Sequence, residues 1–295
     1  MTETNFQEEW LAIRYPFDLA ARNKEVEAAF LDYFYGYDEL QIIDIGSGTG
    51  NNFRYWFSKL PISQSWTFVE LNPLLAEISL AKAKKYLEAS DWEVSISKNQ
   101  LSASFREGVQ KHKKIRIQIL ETSFLELPFG HQLLGNPDFL MANAVFDLLT
   151  AKMFDRFAEQ LIEHKIPLLS TINFVGMRFQ NPTKEDELFT NYYLQHMQRL
   201  QTFGRTLGTD CTTHATSFFK KKGQSYTLGE SNWIVKKTDE KMLLWTLGYM
   251  EEAVPSMLKD KAEEERFMNW LAVKREQVKQ QKLELIVYHY DWFSR

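Results

Sequence analysis

The sequence predicts an α/β fold built on a largely parallel sheet, and three observations carry that expectation. The stretch 41–53 reads QIIDIGSGTGNNF, an apolar run (Ile42, Ile43, Ile45) interrupted by Asp44 and followed by Gly46, Gly48 and Gly50. A buried strand that ends in a glycine-rich turn brings backbone N–H groups up to a ligand, because a chain without Cβ atoms turns tightly and approaches closely. Strand-like runs then alternate with helix-spaced segments along most of the chain, as strand–helix–strand units require. The length of 295 residues and a hydrophobic content of 44% suit one large domain with a sizeable core.

Composition excludes several classes. The net charge of −4 supplies no global positive field to draw in nucleic acid. A single cysteine, Cys211, leaves neither an internal disulfide nor a thiolate zinc site and suits a reducing cytosol; no metal is expected. The start MTETNFQEEW is acidic and lacks an apolar core, so no signal peptide is expected. No apolar run approaches the ~18 residues that a membrane span needs. Aromatics reach 14%, as pocket lining or as filling of a bulky core.

Taken in order, residues 5–35 read as helix. Phe6, Trp10 and Ile13 share a face, Pro16 interrupts, and Leu19, Val26, Phe30 and Phe34 resume the pattern. Asp18 and Arg22, four apart, are spaced as a surface ion pair. The strand before the glycine turn is followed by a helix over 51–60, which buries Phe53, Trp56, Phe57 and Leu60. A second strand over 65–70 ends in Glu70. Asn72 and Pro73 start a helix whose apolar face is Leu74, Ile78 and Ala81.

Trp92, Val94 and Ile96 alternate as a strand does, Leu101, Phe105 and Val109 are spaced for a helix, and Ile115, Ile117 and Ile119 alternate again. A core strand over 137–143 ends at Asn143, with Asp147 one turn later; both suit helix caps, and both stand at a strand end where ligands bind. A helix over 151–164 and a fifth strand over 166–173 follow. The stretch 174–217 is rich in polar aromatics, histidines and arginines, among them Tyr192, Tyr193, His196, Arg199, Phe203 and His214. Lys220–Lys222 reads as a solvated helix end. A sixth strand with a glycine break (225–235), helices over 239–257 and 260–281, and a last strand over 283–292 complete the chain.

Two details separate the glycine turn from a dinucleotide fingerprint. Its spacing is G-x-G-x-G, and Asp44 stands inside the strand end, where a carboxylate repels a pyrophosphate but accepts a hydrogen bond from an ammonium group. The motif Asp44-x-Gly46-x-Gly48-x-Gly50 resembles the first motif of class I S-adenosylmethionine-dependent methyltransferases. The motifs cover roughly residues 41–150; beyond them the resemblance is one of layout, closest to bacterial small-molecule methyltransferases.

The resemblance implies a Rossmann-like three-layer sandwich with a seven-stranded, mostly parallel sheet in a single domain over 1–295. Residues 1–40 would form a helical cap, 41–173 the cofactor half, 174–208 a lid inserted after the fifth strand, and 209–295 the remainder of the sheet. It implies S-adenosyl-L-methionine as cofactor, held by Asp44, Gly46, Ser47, Gly48, Gly50, Glu70 and Leu71, with Glu70 binding both ribose hydroxyls. Arg14, on the closing N-terminal segment, would meet a carboxylate. Where the family commonly places an adenine-binding Asp, this chain has Ser123 beside Thr122 and Glu121, a departure. Asn143 and Asp147 match the fourth motif, and the resemblance counts Asn143, with Thr122 and Ser123, among the cofactor-binding residues as well. The expected catalytic set is Asn143, Asp147 and His214, with Asn173 as a further orienting residue and His196 as the rival base.

The implied reaction is in-line methyl transfer to an O, N or C atom of a small-molecule acceptor in the cytoplasm, where the protein supplies alignment, exclusion of water and, if needed, proton removal. The rival readings are an RNA or protein methyltransferase, disfavoured by charge, a nicotinamide-dependent oxidoreductase, disfavoured by Asp44, and a catalytically silent methyltransferase-like binding module.

Overall fold

The computed structural model describes residues 3–105, 112–127, 136–201 and 204–295. Val109, Phe203 and the side chain of Phe6 lie outside what is described. Helices α1 (Glu3–Ala21) and α2 (Lys24–Tyr33) precede β1 (Glu39–Ile45), α3 (Asn51–Trp56), β2 (Ser63–Glu70) and α4 (Pro73–Glu88). Next come β3 (Trp92–Ser97), β4 (Gln100–Phe105), β5 (Lys114–Glu121), β6 (Phe139–Asn143), α5 (Ala151–Glu163) and the long β7 (Leu168–Phe179). Then follow α6 (Lys184–Met197), a small ribbon of β8 (Leu200–Gln201) and β9 (Gly204–Arg205), and α7 (Cys211–Lys221). Strands β10 (Tyr226–Glu230) and β11 (Trp233–Val235), helices α8 (Glu240–Ala253) and α9 (Lys261–Lys279), and β12 (Leu285–Ser294) end the chain.

The main sheet is mixed and ten-stranded among the described residues, where seven strands were expected. Its order is β10-β12-β7-β6-β1-β2-β5-β4-β3, with β11 also paired to β12. β7, β6, β1, β2 and β5 form a parallel block, and every pairing outside it is antiparallel. The surplus has two sources. The sixth strand is split into β10 and β11, and a hairpin of two further strands, β3 and β4, extends the edge beyond β5, the segment spaced for a helix at 101–105 being strand β4. An interval of four residues satisfies a helical turn and two strand steps alike, and the burial of Leu101 and Ala103 shows that period two prevails here. Lys98, at φ +51°, supplies the tight turn between the two strands.

Two more expectations are corrected. Helix α1 runs through Pro16 and ends at Ala21. Pro16 and Ala12, whose carbonyl loses its partner, both face solvent, so water satisfies the gap. The real break is at Asn23, whose side chain accepts from the amides of Glu25 and Val26 and caps α2. Leu19, assigned to the buried stripe, is 46% exposed. In α4 the buried face is Leu75, Ala76, Ser79, Leu80, Ala83 and Leu87, rotated by one residue from Leu74, Ile78 and Ala81. The small residues at 76, 79 and 83 let the helix settle close to the sheet.

Three apolar clusters hold the molecule. Leu40 and Ile42 of β1 face one side with Phe30, Phe53, Trp56, Trp66 and Phe68, under α2, α3 and α4. Ile43 and Ile45 face the other with Phe146, Phe154, Phe157, Phe218 and Trp292, under α5 and α7. The third cluster caps the carboxyl ends of the parallel block. It joins Ile172, Met177 and Phe179 to Phe189, Leu243, Phe267 and Trp270, with Trp10, Ile13 and Phe17 of α1 packed against it. The cap therefore draws on α6 together with α8 and α9, and residues 174–179 of the expected lid are strand β7. Strand β1 lies between β2 and β6, so successive connections leave it in opposite directions and open a crevice at their carboxyl ends.

Candidate functional site

The crevice is floored by the glycine turn. Gly46, Gly48 and Gly50 all take positive φ, at 60°, 54° and 79°, which an L side chain resists. A Cβ on Gly46 would meet Val145 Cγ2 at 2.9 Å, and one on Gly48 would meet Leu11 Cδ1 at 3.1 Å. The turn is held partly by itself, since Ser47 N–H donates to the Val69 carbonyl (3.2 Å) and Gly50 N–H to that of Ser47 (2.9 Å). Ser47 Oγ and Thr49 Oγ1 are buried there without partners.

Glu70 lies beside this turn and is nearly buried. Its Oε2 accepts from Gly48 N–H at 2.8 Å and its Oε1 from Asn72 N–H at 2.9 Å, so each oxygen retains one lone-pair direction. Leu71, 71% exposed, stands next to it as an apolar surface at the strand end. Asp44 is fully buried: Oδ1 accepts from Asn52 Nδ2 at 2.8 Å, and Oδ2 has no partner. Burial pushes its carboxyl up to about 7, against the Asn52 hydrogen bond and the Arg22 charge, with Glu70 adding to the rise.

Helix α1 crosses over the crevice and presents Arg14 and Asp18, with Arg22 following just past its end, all buried. Arg14 grips Asp18 with two N–H groups (3.0 and 3.3 Å), so the expected Asp18–Arg22 pair is replaced by Arg14–Asp18. Arg22 instead donates to Thr171 Oγ1 and, at 2.9 Å, to Asn52 Oδ1. Asn143 donates to Asp18 at 3.1 Å and accepts from Thr171 at 3.3 Å. A continuous polar chain thus runs Asp44–Asn52–Arg22–Thr171–Asn143–Asp18–Arg14 across the ends of β1, β6 and β7. Arg54 over the Tyr15 ring at 3.9 Å and Asn51 Nδ2 to the Leu11 carbonyl at 3.1 Å fasten α1 to α3.

Beyond Arg14 lies a cavity of about 340 Å³ between α1, the ends of β6 and β7, and the cap. Trp10, Phe174, Tyr193, Trp233 and Tyr249 line it with Arg14, Asp147, Thr246 and His289. Trp10 meets Tyr249 edge-on at 5.0 Å, and the Trp233 and His289 rings are 4.5 Å apart. Asp147 is buried, its Oδ1 has no partner, and burial pushes it up to about 6, its own backbone amide and Arg14 opposing. Burial and the nearby Arg14 push His289 down to about 3, so it is neutral. Two wall residues, Ala144 and Ile172, each take φ +56°. For a β-branched residue this is a genuine outlier of the kind that collects at functional sites, and it is held here by Ile172 N–H donating to Asp291 at 2.7 Å.

The structure gathers Arg14, Asp44, Gly46, Ser47, Gly48, Gly50, Glu70, Leu71, Asn143 and Asp147 around this crevice and cavity. It separates others. His214 is on α7, where its Nε2 lies 2.7 Å from Asp155 Oδ1 of α5, outside the cavity, because α7 packs on the sheet face rather than over the strand ends. His196 ends α6 against Ser256 Oγ at 2.8 Å. Asn173 is fully enclosed, accepting from Ser170 Oγ at 2.8 Å and donating to the Tyr290 carbonyl at 2.9 Å, a role within the sheet. Ser123 caps the short turn Phe124–Glu126, accepting from Leu125 N–H at 3.3 Å, with Thr122 beside it. Sequence reasoning missed Thr49, Asn52, Thr171 and His289, which no motif marks. Their burial as polar groups near the crevice is visible only in three dimensions.

No family model matches the chain, and no curated protein matches it. Solved structures do. One is a SAM-dependent methyltransferase from Thiobacillus denitrificans in complex with S-adenosyl-L-homocysteine (13% identity over 92% of either chain, TM-score 0.43). Another is a cyclopropane synthase from Mycobacterium tuberculosis (11% identity, 94% of this chain and 88% of that one, TM-score 0.42). A third is phosphoethanolamine N-methyltransferase 2 from Haemonchus contortus in complex with S-adenosyl-L-methionine (13% identity, 92% of this chain, TM-score 0.39); this chain spans about half, 52%, of its length. Two of these neighbours are described as methyltransferases, one in complex with S-adenosyl-L-homocysteine and one with S-adenosyl-L-methionine.

Proposed function

We propose that this protein is an S-adenosylmethionine-dependent methyltransferase acting on a small-molecule acceptor in the cytoplasm. The observation that carries the reading is the pairing, at one sheet switch point, of the positive-φ glycine turn with two acidic side chains in different states. Asp44 offers a free buried oxygen, and Glu70 offers lone pairs beside the turn. The residues fit the cofactor. Asp44 Oδ2 would accept from its ammonium group, Glu70 would take its ribose hydroxyls, Leu71 would cover its adenine face near Thr122 and Ser123, and Ser47 and Thr49 would supply hydroxyls along the turn. When bound, the cofactor supplies a methyl group already activated by a sulfonium charge.

The chain's own work is then positional. Leu11 over Gly48 and the Arg14–Asp18–Asn143 bridge close α1 on the crevice and exclude water. The cavity beyond Arg14 holds the acceptor, and the Asp147 carboxylate is the group there that binds it or accepts a proton. A cavity of about 340 Å³ is at the small end of ligand pockets, which supports a small acceptor over a nucleic acid or protein segment. Orientation of this kind is worth on the order of 7–11 kcal/mol when geometry is right. Among the described residues no helix is long and apolar enough to cross a membrane.

Calorimetric titration with S-adenosylmethionine, S-adenosylhomocysteine and NADH tests the reading. Micromolar binding of the two adenosyl ligands and none of NADH is expected. Absence of adenosyl binding would overturn the enzyme assignment and leave the glycine turn as scaffold.

A further inference from the structure

The cavity wall carries a specific charge pattern. Arg14 is its cation, but Asp18 neutralises it through two hydrogen bonds, and its guanidinium already lies 5.4 Å from the Trp233 ring centre. His289 is buried and neutral, so it adds no positive charge. What remains is Asp147, 7% exposed, with Oδ1 aimed at no partner in the protein. The same wall carries the rings of Tyr193 and Tyr249, and aromatic faces attract cations, while Trp233 already meets Arg14 and His289 and Trp10 stacks on Trp245 at 5.6 Å. A carboxylate ligand would have to displace Asp18 from Arg14 and face Asp147. A neutral hydroxyl would bond the Asp147 carboxylate but leave its charge unbalanced.

We propose that this cavity recognises an amine, a small molecule with a primary or secondary ammonium headgroup on an aromatic or aliphatic body, whose N–H groups are donated to the Asp147 carboxylate. The inference rests on the methyltransferase reading only for the amine's role as acceptor. Recognition itself follows from the cavity. Asp147 shares the cavity wall with Arg14, whose hydrogen bonds to Asp18 begin the polar chain that runs on to Asp44 beside the glycine turn. Thr246, buried in the same wall, has its hydroxyl donated to the Met242 carbonyl at 2.9 Å and so faces a ligand only as an acceptor.

The test compares isosteric probes by calorimetry and by the intrinsic fluorescence of Trp10 and Trp233: 2-phenylethylamine, 2-phenylethanol and 3-phenylpropanoate. The unmodified protein is expected to bind the amine about tenfold or more tighter than the alcohol, as a charged hydrogen bond and cation–ring contacts imply, and the carboxylate least. Asp147→Asn, which keeps the shape and removes a buried charge, should bring amine and alcohol to nearly equal affinity without weakening the alcohol. Equal affinities in the unmodified protein, a preference for the carboxylate, or no detectable amine binding at millimolar concentration would overturn the inference. The wild-type comparison decides even if the variant folds poorly. S-adenosylhomocysteine binding, measured on the same samples, separates the two readings. Intact adenosyl binding without amine preference refutes the cavity assignment alone, and amine preference without adenosyl binding refutes methyl transfer alone.

Discussion

Replacing Asp44 by Asn should raise stability and lower cofactor affinity together, a combination that few other roles produce. The carboxyl is fully buried and half satisfied, with an affinity for protons raised from 3.8 to about 7 chiefly by burial. That interval corresponds to on the order of 4 kcal/mol, at about 1.4 kcal/mol per tenfold in proton affinity. The folded protein binds this proton more tightly than the unfolded chain. The group's contribution to stability is therefore fully present below about pH 4 and is lost as pH rises to about 7. Chemical unfolding of wild type and Asp44→Asn across pH 4 to 8 should show their stability difference moving by roughly 4 kcal/mol in the variant's favour.

Affinity should move the other way. Losing the charged acceptor for the cofactor's ammonium group costs roughly 1.5–3 kcal/mol, or about 10–100-fold in S-adenosylhomocysteine Kd. Binding near pH 6.5 should also release protons, because a cation at Oδ2 favours the ionised carboxyl. Calorimetric enthalpies in phosphate and Tris buffers would then differ. A variant that loses stability relative to wild type as pH rises, or that binds S-adenosylhomocysteine as tightly as wild type, refutes the reasoning.

Glu70→Ala removes the acceptor of two loop amides, Gly48 and Asn72, and should cost about 1–3 kcal/mol in thermal unfolding while abolishing tight adenosyl binding. His214→Asn breaks only a partly exposed pair with Asp155 and should change stability by less than ~1 kcal/mol. Methyl-transfer assays of that variant should match wild type; a collapse of kcat would restore His214 to the active centre. In the cap, Asp186 joins Lys274 Nζ (2.6 Å), Trp270 Nε1 (2.7 Å) and the Thr183 amide (2.9 Å) inside a buried pair. Asp186→Ala should cost about 3–5 kcal/mol by leaving Lys274 buried and unpaired, read as a large fall in Tm.

Much of the crevice was legible because its signals are local. Asp44 and the three glycines sit within seven residues, and Glu70 follows at the end of the next apolar strand, so one short stretch carries the family resemblance that picks them out. The same locality misled elsewhere. Leu101 and Phe105 satisfy either period, and only pairing with β3 and β5 makes them strand. His214 was attractive as a base by residue type, but reactivity depends on what a side chain faces, and α7 turns it to Asp155. Asp18 and Arg22 are correctly spaced for each other, yet Arg14 and Thr171 are better partners once α1 lies on the sheet.

By itself the sequence determined the α/β class, the strand–turn–helix that forms the crevice, and the chemistry expected at Asp44 and Glu70, since these depend on short-range propensity, period and the absence of Cβ atoms. Tertiary structure alone decided the rest. It set the mixed ten-stranded sheet, the cap assembled from α6, α8 and α9, the polar chain from Asp44 to Arg14, and the aromatic cavity around Asp147. These features join residues as far apart as Trp10 and His289, and their burial, shifted proton affinities and unmet hydrogen bonds come from the low-polarity interior that packing creates. No window of sequence contains that environment.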